Sequence, residues 1–270
     1  MSQFLSFLLC NFARQNGPKD MENKIENFFF AGNAVSGEPD YGLAETFVRT
    51  AEAFANATYQ SVYIIDYFRK NFLYVSPNPL FLCGMSAEEV KELGYQFYID
   101  HVPAGEVKML LEINHAGFSF INKVPPAERK EYTISYDFHI INGHDKVLIN
   151  HKLTGFAYQP DGSVWLGLAL VSLSTHSNAG QITMHCRGKR EYWEYDLQSH
   201  KWAIHDTPVL NETEKEILTL SIQGLTINTI AERAHLAVDS VKSARRRLFE
   251  KLGVNNISEA ISYATNYKLL

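Results

Sequence analysis

The sequence predicts an α+β chain in which a domain built on an antiparallel sheet precedes an all-α domain of four short helices. Residues 132–140 alternate apolar and polar side chains with a strict period of two, which is typical of an antiparallel strand with one solvated face. From Pro208 onward, short segments with helical periodicity alternate with capping and turn residues. A length of 270 residues accommodates both domains.

Composition excludes several classes of protein. Hydrophobic residues make up 46% and charged residues 20%, which indicates a folded chain. The net charge of −5 means that any nucleic-acid site must be a local basic patch. The three cysteines, at positions 10, 83 and 186, form neither a disulfide framework nor a CxxC pair, which favours the cytoplasm. No apolar run approaches the roughly 18 residues that cross a bilayer, so no membrane partner is expected.

Residues 1–40 are expected to form a leader and a loop. Phe4–Ala13 is apolar, but no Lys or Arg precedes it and no small-residue cleavage site follows, which disfavours a signal peptide. MENKIENFFF, which begins at Met21, is an ordinary cytoplasmic start, so both Met1 and Met21 remain candidate starts. Residues 1–20 are predicted to be dispensable, and 32–40 are rich in turn formers.

Residues 41–178 are predicted to form the sheet domain. In chain order, the pattern predicts a helix, two short strands, a short helix opened by a capping box at Ser86, a longer helix and three strands joined by turns. Besides the helix that begins at Ser86, helices are predicted at 41–58 and 106–122. Strands are predicted at 62–67, 72–75, 132–140, 146–158 and 163–173.

This order of elements resembles that of a PAS domain. Within residues 72–94, LYVSPNPLFLCGMSAEEVKELG is similar to the family pattern YVNPAFxxxxGYSxEELxG, and His101-Val102-Pro103 lies where the family often has a His-Pro pair. The resemblance covers residues 59–175. It implies a domain that senses a ligand or dimerises, because PAS domains hold small ligands, flavin, haem or nothing.

The sequence predicts no cofactor and leaves the PAS ligand unknown, with a small molecule as one option. Cys83 lacks the flavin-photosensor context and is interpreted as a buried small hydrophobe. His115 is interpreted as part of a solvated turn rather than a haem ligand, and His151 as a half-buried, hydrogen-bonded histidine. His185 and Cys186 point apart on a strand, so no metal site is expected.

Residues 179–206 are expected to link the two domains as an aromatic β-hairpin. Trp193 and Trp202 flank a polar turn at 196–200. Because an isolated hairpin is not stable, this one should pack on the sheet, on the helical domain or on a second subunit. It is therefore the candidate route for a signal between the domains.

Residues 207–270 predict four helices. Asn211 and Thr226 are expected to cap the first two, the third should end at Gly253, and Ser258 should precede the fourth. Along the fourth helix, one apolar stripe is predicted to be a dimer contact between DNA-binding domains. Its residues are Ile257, Ala260, Ile261 and Ala264.

The third helix has one apolar stripe and one basic face. Residues 238–252 carry five basic and two acidic side chains, a net of +3, whereas 206–270 carry eight of each. Charge concentrated on one helix of a neutral domain is expected of a helix that enters the major groove. The stripe comprises Val241, Ala244, Leu248 and Leu252, and the opposite face comprises Asp239, Lys242, Ser243, Arg246 and Arg247.

The stretch LNETEKEILTLSIQGLTINTIAERAHLAVDSVKSARRRLFEKLGV resembles the LuxR/GerE-type DNA-binding domain, whose pattern runs LTxREKEVLxLxAxGLSxxEIAxxLxISxxTVKxHxxxIxxKLxV. The resemblance implies that three positions face DNA, Lys242, Ser243 and Arg246. Arg245 and Arg247 are expected to contact phosphates, and Thr226 completes the predicted interface. The chain departs from the pattern at Thr213, Thr229, Ala237 and Ala244. Loss of the Ser cap at Ala237 costs about 1 kcal/mol unless Asp239 replaces it.

These features predict a one-component transcription regulator that binds double-stranded DNA as a homodimer in the cytoplasm, with RNA polymerase as a further partner. One alternative is a phospho-acceptor receiver domain ahead of the same DNA-binding domain, which would require a parallel sheet. Another is an acyl-lactone sensor, although its clustered aromatic pattern is not found here. Enzymatic activity is not expected, because no nucleophile, P-loop or metalloprotease motif occurs.

Overall fold

The structure is a computed structural model that describes residues 32–267 and 269–270. Residues 1–20, predicted to be dispensable, and both candidate starts lie outside the described residues. The chain forms two compact units. Unit 1 comprises the described residues up to Ser174 together with Asn178–Lys189 and Trp193–Ala203, and unit 2 comprises Thr175–Ser177, Arg190–Tyr192 and Ile204–Leu270.

An eight-stranded sheet runs in the order β2-β1-β5-β4-β3-β6-β7-β8. All pairings among the first six strands are antiparallel. The strands are β1 Ser61–Asp66, β2 Asn71–Val75, β3 Tyr132–Asn142, β4 Asp145–Tyr158, β5 Val164–Leu173, β6 Gly180–Cys186, β7 Glu191–Asp196 and β8 Lys201–Asp206.

Among the described residues of unit 1 there are five helices, four of which lie between β2 and β3. They are α1 Ala44–Thr58, α2 Pro79–Leu82, α3 Ala87–Leu93, α4 Gln96–His101 and α5 Ala104–Ile121, with 3-10 turns at Tyr41–Leu43 and Pro126–Glu131. Ser86 opens α3 through the predicted capping box. Two strands, small helices, a long helix and a three-strand meander confirm the PAS-like order of elements, and the antiparallel pairing is not that of a receiver domain.

The sheet separates two apolar cores, and β1 contributes to both. Tyr63 and Ile65 face the main core beneath α5, whereas Val62 and Ile64 pack beneath α1. Because successive side chains of a strand point to opposite faces, β1 is buried along its whole length. The loop at 32–40 also packs here, since the buried Asn33 side chain bonds both the N–H and the C=O of Val164.

The segment predicted as a single hairpin linker contains a further strand. β6 pairs with β3, and Ile182 and Met184 join the main core. The aromatic hairpin itself is β7 and β8, with a turn at 197–200. Its tip, Trp193–Ala203, belongs to unit 1, and the residues at its open end belong to unit 2.

Unit 2 contains four helices, α6 Glu212–Ile222, α7 Ile227–Arg233, α8 Val238–Leu252 and α9 Ile257–Asn266. Asn211 caps α6 in a capping box with Glu214, and Thr226 caps α7, as the sequence predicts. Gly253 ends α8 in the left-handed conformation that glycine tolerates best. The prediction for α9 is wrong by two residues, because Asn256 is its N-cap and Ser258 lies inside the helix.

Candidate DNA interface and sensor cavity

The apolar stripe of α8 lies in the core of unit 2. Val241 and Ala244 pack against Ile230 of α7 and its neighbours, and Leu248 and Leu252 pack against α6 and α9. All four residues of the stripe are buried, which confirms the predicted orientation of α8. The opposite face is therefore directed away from the domain core.

That opposite face carries the exposed cations. Lys242, Arg246 and Arg247 are exposed, whereas Ser243 and Arg245 are half-buried. The Lys242 ammonium lies 3.1 Å from Asp239, and the Arg246 guanidinium lies 3.8 Å from Glu250. Exposed pairs of this kind contribute little to stability, so DNA phosphates or bases can replace the carboxylates at low cost.

The beginnings of α7 and α8 differ in how they are capped. The exposed Thr226 hydroxyl accepts a 3.3 Å bond from the Thr229 N–H. Ala237, at the N-cap of α8, offers no side-chain cap. Asp239 pairs with Lys242 and does not cap the helix in place of the missing serine.

Lys251 has a role that the sequence interpretation missed. Its ammonium donates to both carboxylate oxygens of Glu214, at 2.7 and 2.6 Å, and to the Val209 carbonyl at 3.3 Å. Glu214 is only 4% exposed. Lys251 therefore joins α8 to α6 and does not belong to the DNA-facing set. No local pattern in the sequence indicates this pair, because the two residues lie 37 positions apart in the chain.

The structure divides the predicted dimer stripe on α9 into two parts. Ala260 and Ala264 are 0% exposed and pack with Leu218 and Leu248 in the domain's own core. Ile257 and Ile261 pack on the same core but stay partly exposed. The two alanines therefore belong to the interior of the domain, and a dimer contact through Ile257 and Ile261 stays a prediction.

The hairpin tip packs on α5 within unit 1. The Phe120 ring lies 5.1 Å from the Trp193 ring and 5.2 Å from the Trp202 ring. Glu112 accepts bonds from the Tyr195 hydroxyl at 3.1 Å and from His200 Nδ1 at 2.5 Å. Burial and the bond to Glu112 raise the pKa of Tyr195 to about 12. The tip is thus held by both apolar and polar contacts.

A cavity of about 60 Å³ lies between α5 and the sheet. Its lining residues are largely apolar and include four tyrosines and Arg129. Burial raises the pKa of Tyr158 to about 12 and the pKa of Tyr67 and Tyr136 further, so these phenols are neutral at pH 7. The lining residues are Tyr67, Ile113, Asn114, Gly117, Phe118, Ile121, Arg129, Tyr132, Ile134, Tyr136, Leu153, Gly155, Tyr158, Val164, Gly167 and Met184.

Beside the cavity, His151 is fully buried rather than half-buried as predicted. It is 1% exposed, its Nε2 bonds the Tyr63 hydroxyl, and that hydroxyl also bonds the hydroxyl of Tyr98. Burial lowers the pKa of His151 to about 3, so its imidazole is neutral at pH 7. The interpretation underestimated burial because parity along β4 gives the direction of a side chain and not the depth of the core.

Cys83, His115 and the neighbouring pair His185 and Cys186 lie on three different parts of unit 1. Cys83 is partly exposed at the end of α2, and burial raises the pKa of its thiol to about 12. His115 is exposed, as expected, but lies within α5 and not in a turn. His185 lies 3.0 Å from the Thr183 hydroxyl, and Cys186 is buried. The described residues contain no group of three or more His, Cys, Asp and Glu side chains that could hold a metal ion.

Comparison with known proteins identifies the C-terminal domain. Residues 208–264 match the family described as bacterial regulatory proteins, luxR family (GerE). These residues form a LuxR-family DNA-binding domain. The LuxR-type domain includes α6, α7, α8 and most of α9, so the basic face of α8 lies within the matched region.

In the described part of the chain, no helix is long and apolar enough to cross a membrane.

The similar curated proteins match a short part of the chain. Two proteins named probable transcriptional regulatory protein NarL, from Mycobacterium tuberculosis strains CDC 1551 / Oshkosh and ATCC 25618 / H37Rv, are each 38% identical over 63 residues. The match covers 23% of this chain and 29% of each relative. The chain therefore spans less than a third of the length of these relatives.

Two solved structures extend over both units. The phage VqmA–DPO complex is 15% identical, with 84% of this chain and 93% of that chain covered and a TM-score of 0.34. A Vibrio cholerae VqmA dimer, described as a LuxR-type receptor in the absence of target DNA, is 15% identical, with 78% and 83% covered and a TM-score of 0.30. Both TM-scores are below 0.5, so neither likeness bears on the ligand or the assembly of this chain.

Proposed function

We propose that the chain is a one-component transcription regulator that binds double-stranded DNA through the LuxR-type domain. The exposed cations of α8, opposite a fully buried apolar stripe, carry this proposal. The helix would lie in the major groove, where Lys242, Ser243 and Arg246 contact base edges, while Arg245, Arg247 and Thr226 contact phosphates. The setting proposed is the cytoplasm, with RNA polymerase as a further partner.

Binding as a homodimer is part of this proposal. One small domain makes few contacts with DNA, and two copies related by a two-fold axis would read two half-sites. Since Ala260 and Ala264 are buried in the domain core, a contact through α9 would use the exposed parts of Ile257 and Ile261. The PAS-like unit would add a second contact between the copies.

The proposed role of the PAS-like unit is to sense a small molecule in the cavity between α5 and the sheet. Ile113, Gly117 and Ile121 place one face of α5 in that cavity, and Glu112 and Phe120 of the same helix hold the hairpin tip. We propose that no enzymatic step is involved. The signal would be a difference in binding free energy between two arrangements of the chain.

Tyr132 offers a direct connection between the cavity and the hairpin. It lines the cavity, and its ring lies 5.8 Å from Phe120 and 5.9 Å from Trp193. A ligand that moves Tyr132 or α5 would change the packing of the hairpin tip. Shared residues support this coupling, and a measured effect on DNA affinity would be needed to establish it.

Sequencing of the DNA fragments bound by the full-length protein across its genome, followed by footprinting of one such site, tests the proposed function. We expect sites with two half-sites related by a two-fold axis and spaced by about one helical turn, roughly 10 base pairs. Binding without sequence preference, or protection of a single half-site at full affinity, would contradict the proposal.

A further inference from the structure

A buried cation lies at the edge of the sensor cavity. Arg129, in the 3-10 turn Pro126–Glu131, is only 9% exposed and lines the cavity. Its Nε donates to the Val124 carbonyl at 3.0 Å, its Nη1 to the Gly162 carbonyl at 2.6 Å and its Nη2 to the Asn122 carbonyl at 3.3 Å. The side chain is thereby fixed between the end of α5 and the β4–β5 turn.

None of these three contacts is with a carboxylate. Among the residues that the structure describes, no carboxylate forms an ion pair with Arg129, and the nearby Glu131 pairs with Arg187 instead. A guanidinium has five N–H groups, of which the three bonds to carbonyls use three. Buried charges in proteins are ordinarily paired, so an arginine that meets no carboxylate among the described residues favours an anion as the cavity's occupant.

The other residues that line the cavity also favour an anionic ligand. Among the described residues, the lining contains no Asp, Glu or His, which leaves a cationic ligand without a partner. Four tyrosines also line the cavity, and the Tyr158 hydroxyl donates to the Gly155 carbonyl at 2.8 Å. The apolar side chains, such as Ile113, Leu153 and Met184, can only accommodate a hydrocarbon body.

From this arrangement we infer that the ligand sensed in this cavity is a small organic monoanion of the carboxylate class. Its carboxylate contacts the Arg129 guanidinium, and its apolar body lies against α5 and the sheet. This inference rests on the proposed sensor function and names the ligand class of the same cavity. The volume of about 60 Å³ is below the roughly 150 Å³ of a known benzene-binding cavity, which favours a short-chain acid over one with an aromatic ring.

Matched acid and amide pairs test the inference on the full-length protein without any substitution. Isobutyrate and isobutyramide have the same shape and differ in charge, and benzoate and benzamide provide the same contrast at ring size. Titration calorimetry at pH 7 should show at least one acid binding tenfold or more tightly than its amide. Equal or tighter binding of the amides, or no binding of either acid, would overturn the inference.

Arg129→Gln adds a site-specific test, with circular dichroism as the check on folding. We expect it to weaken the binding of the acid at least tenfold and to change the binding of the amide by less than twofold. Arg129 also bonds the carbonyls of two turns, so Arg129→Gln changes these contacts as well as the charge. Arg129→Lys is therefore the second variant. It keeps the charge but lacks the planar fork, so it should retain part of the preference for the acid. Unchanged binding of the acid in both variants would contradict a contact with Arg129.

Failure of the anion inference is distinguishable from failure of the proposed function. If the neutral amides bind and alter operator affinity, the cavity is a sensor site for a neutral ligand and only the inferred charge is wrong. If DNA binding itself shows no sequence preference, the regulator function fails irrespective of the ligand.

Discussion

The basic face of α8 and Arg129 differ in the exposure of their charged groups and in the partners of those groups. On α8, Lys242 and Arg246 are exposed and pair with carboxylates of their own helix. In unit 1, Arg129 is buried and bonded to three backbone carbonyls. Exposed cations can exchange partners with little loss of free energy, which suits a polyanion such as DNA. A buried guanidinium has a fixed position, which suits one small group held in one geometry.

The largest effect should come from removing the exposed cations. Lys242→Ala with Arg246→Ala should lower operator affinity at least about thirtyfold, because two base contacts are lost and each is worth about 1–3 kcal/mol. Affinity measured at several salt concentrations checks this, and the salt dependence should also weaken. Arg49→Ala, which removes an exposed cation from α1, is the matched control. Equal losses in the control and the double variant would show that total charge, and not this face, determines binding.

Lys251 lies on the same helix but should affect folding instead of DNA contacts. Lys251→Met leaves the Glu214 carboxylate buried without its cation, so the free energy of unfolding should fall by about 3 kcal/mol. Arg247→Met is the control, because it removes an exposed cation from α8 and should change stability by less than about 0.5 kcal/mol. Urea unfolding of both variants measures the difference, and equal stabilities would contradict the assigned role of Lys251.

The buried His151 should make unit 1 sensitive to acid. Its pKa is lowered to about 3 in the folded chain, whereas an unfolded histidine titrates near pH 6.5. The unfolded state therefore binds more protons between these values, and stability should fall by about 1.4 kcal/mol for each pH unit below about 6.5. Unfolding measured from pH 7.5 to 5 should show a weaker dependence in His151→Phe than in the wild type. His115→Gln, which removes an exposed imidazole, should keep the wild-type slope.

The hairpin should affect DNA binding without belonging to the DNA-binding face. Trp202→Ala removes one of the two tryptophan rings that pack on Phe120. Full burial of an aromatic side chain stabilises a fold by about 1.5–3 kcal/mol. Since typical coupling energies are about 1–3 kcal/mol, operator affinity of the full-length protein should change by roughly fivefold or more. Trp202→Phe, which retains an aromatic ring, should have a smaller effect. An unchanged affinity in Trp202→Ala would remove the hairpin from the signalling route.

The smallest effect concerns the missing cap of α8. Ala237→Ser restores a side chain that can accept a bond from the first turn, and it should stabilise unit 2 by about 1 kcal/mol. Thermal unfolding measures the gain. Ala237→Val offers no cap and should give no gain, and equal stabilities of the serine and valine variants would show that the cap is not formed.

Local pattern in the sequence was sufficient for most of the helices and strands and for the exposed face of α8, but it missed β6 and the short helices α2 and α4. The period of two along β3, the capping residues Asn211 and Thr226 and the apolar stripe of α8 each depend on neighbours within a few residues of the chain. The basic face of α8 follows from that stripe, because fixing the buried side of a helix fixes the exposed side as well.

Tertiary structure alone decided which polar residues are buried and what they contact. Lys251 meets Glu214 across 37 positions, Arg129 meets the Gly162 carbonyl across 33, and the Tyr63 hydroxyl meets His151 across 88. The same holds for α9, where Ala260 and Ala264 pack in the domain's own core while Ile257 and Ile261 stay partly exposed. Sequence periodicity gives the direction of a side chain relative to its element. The partner on that side depends on how distant elements pack, and no local pattern encodes it.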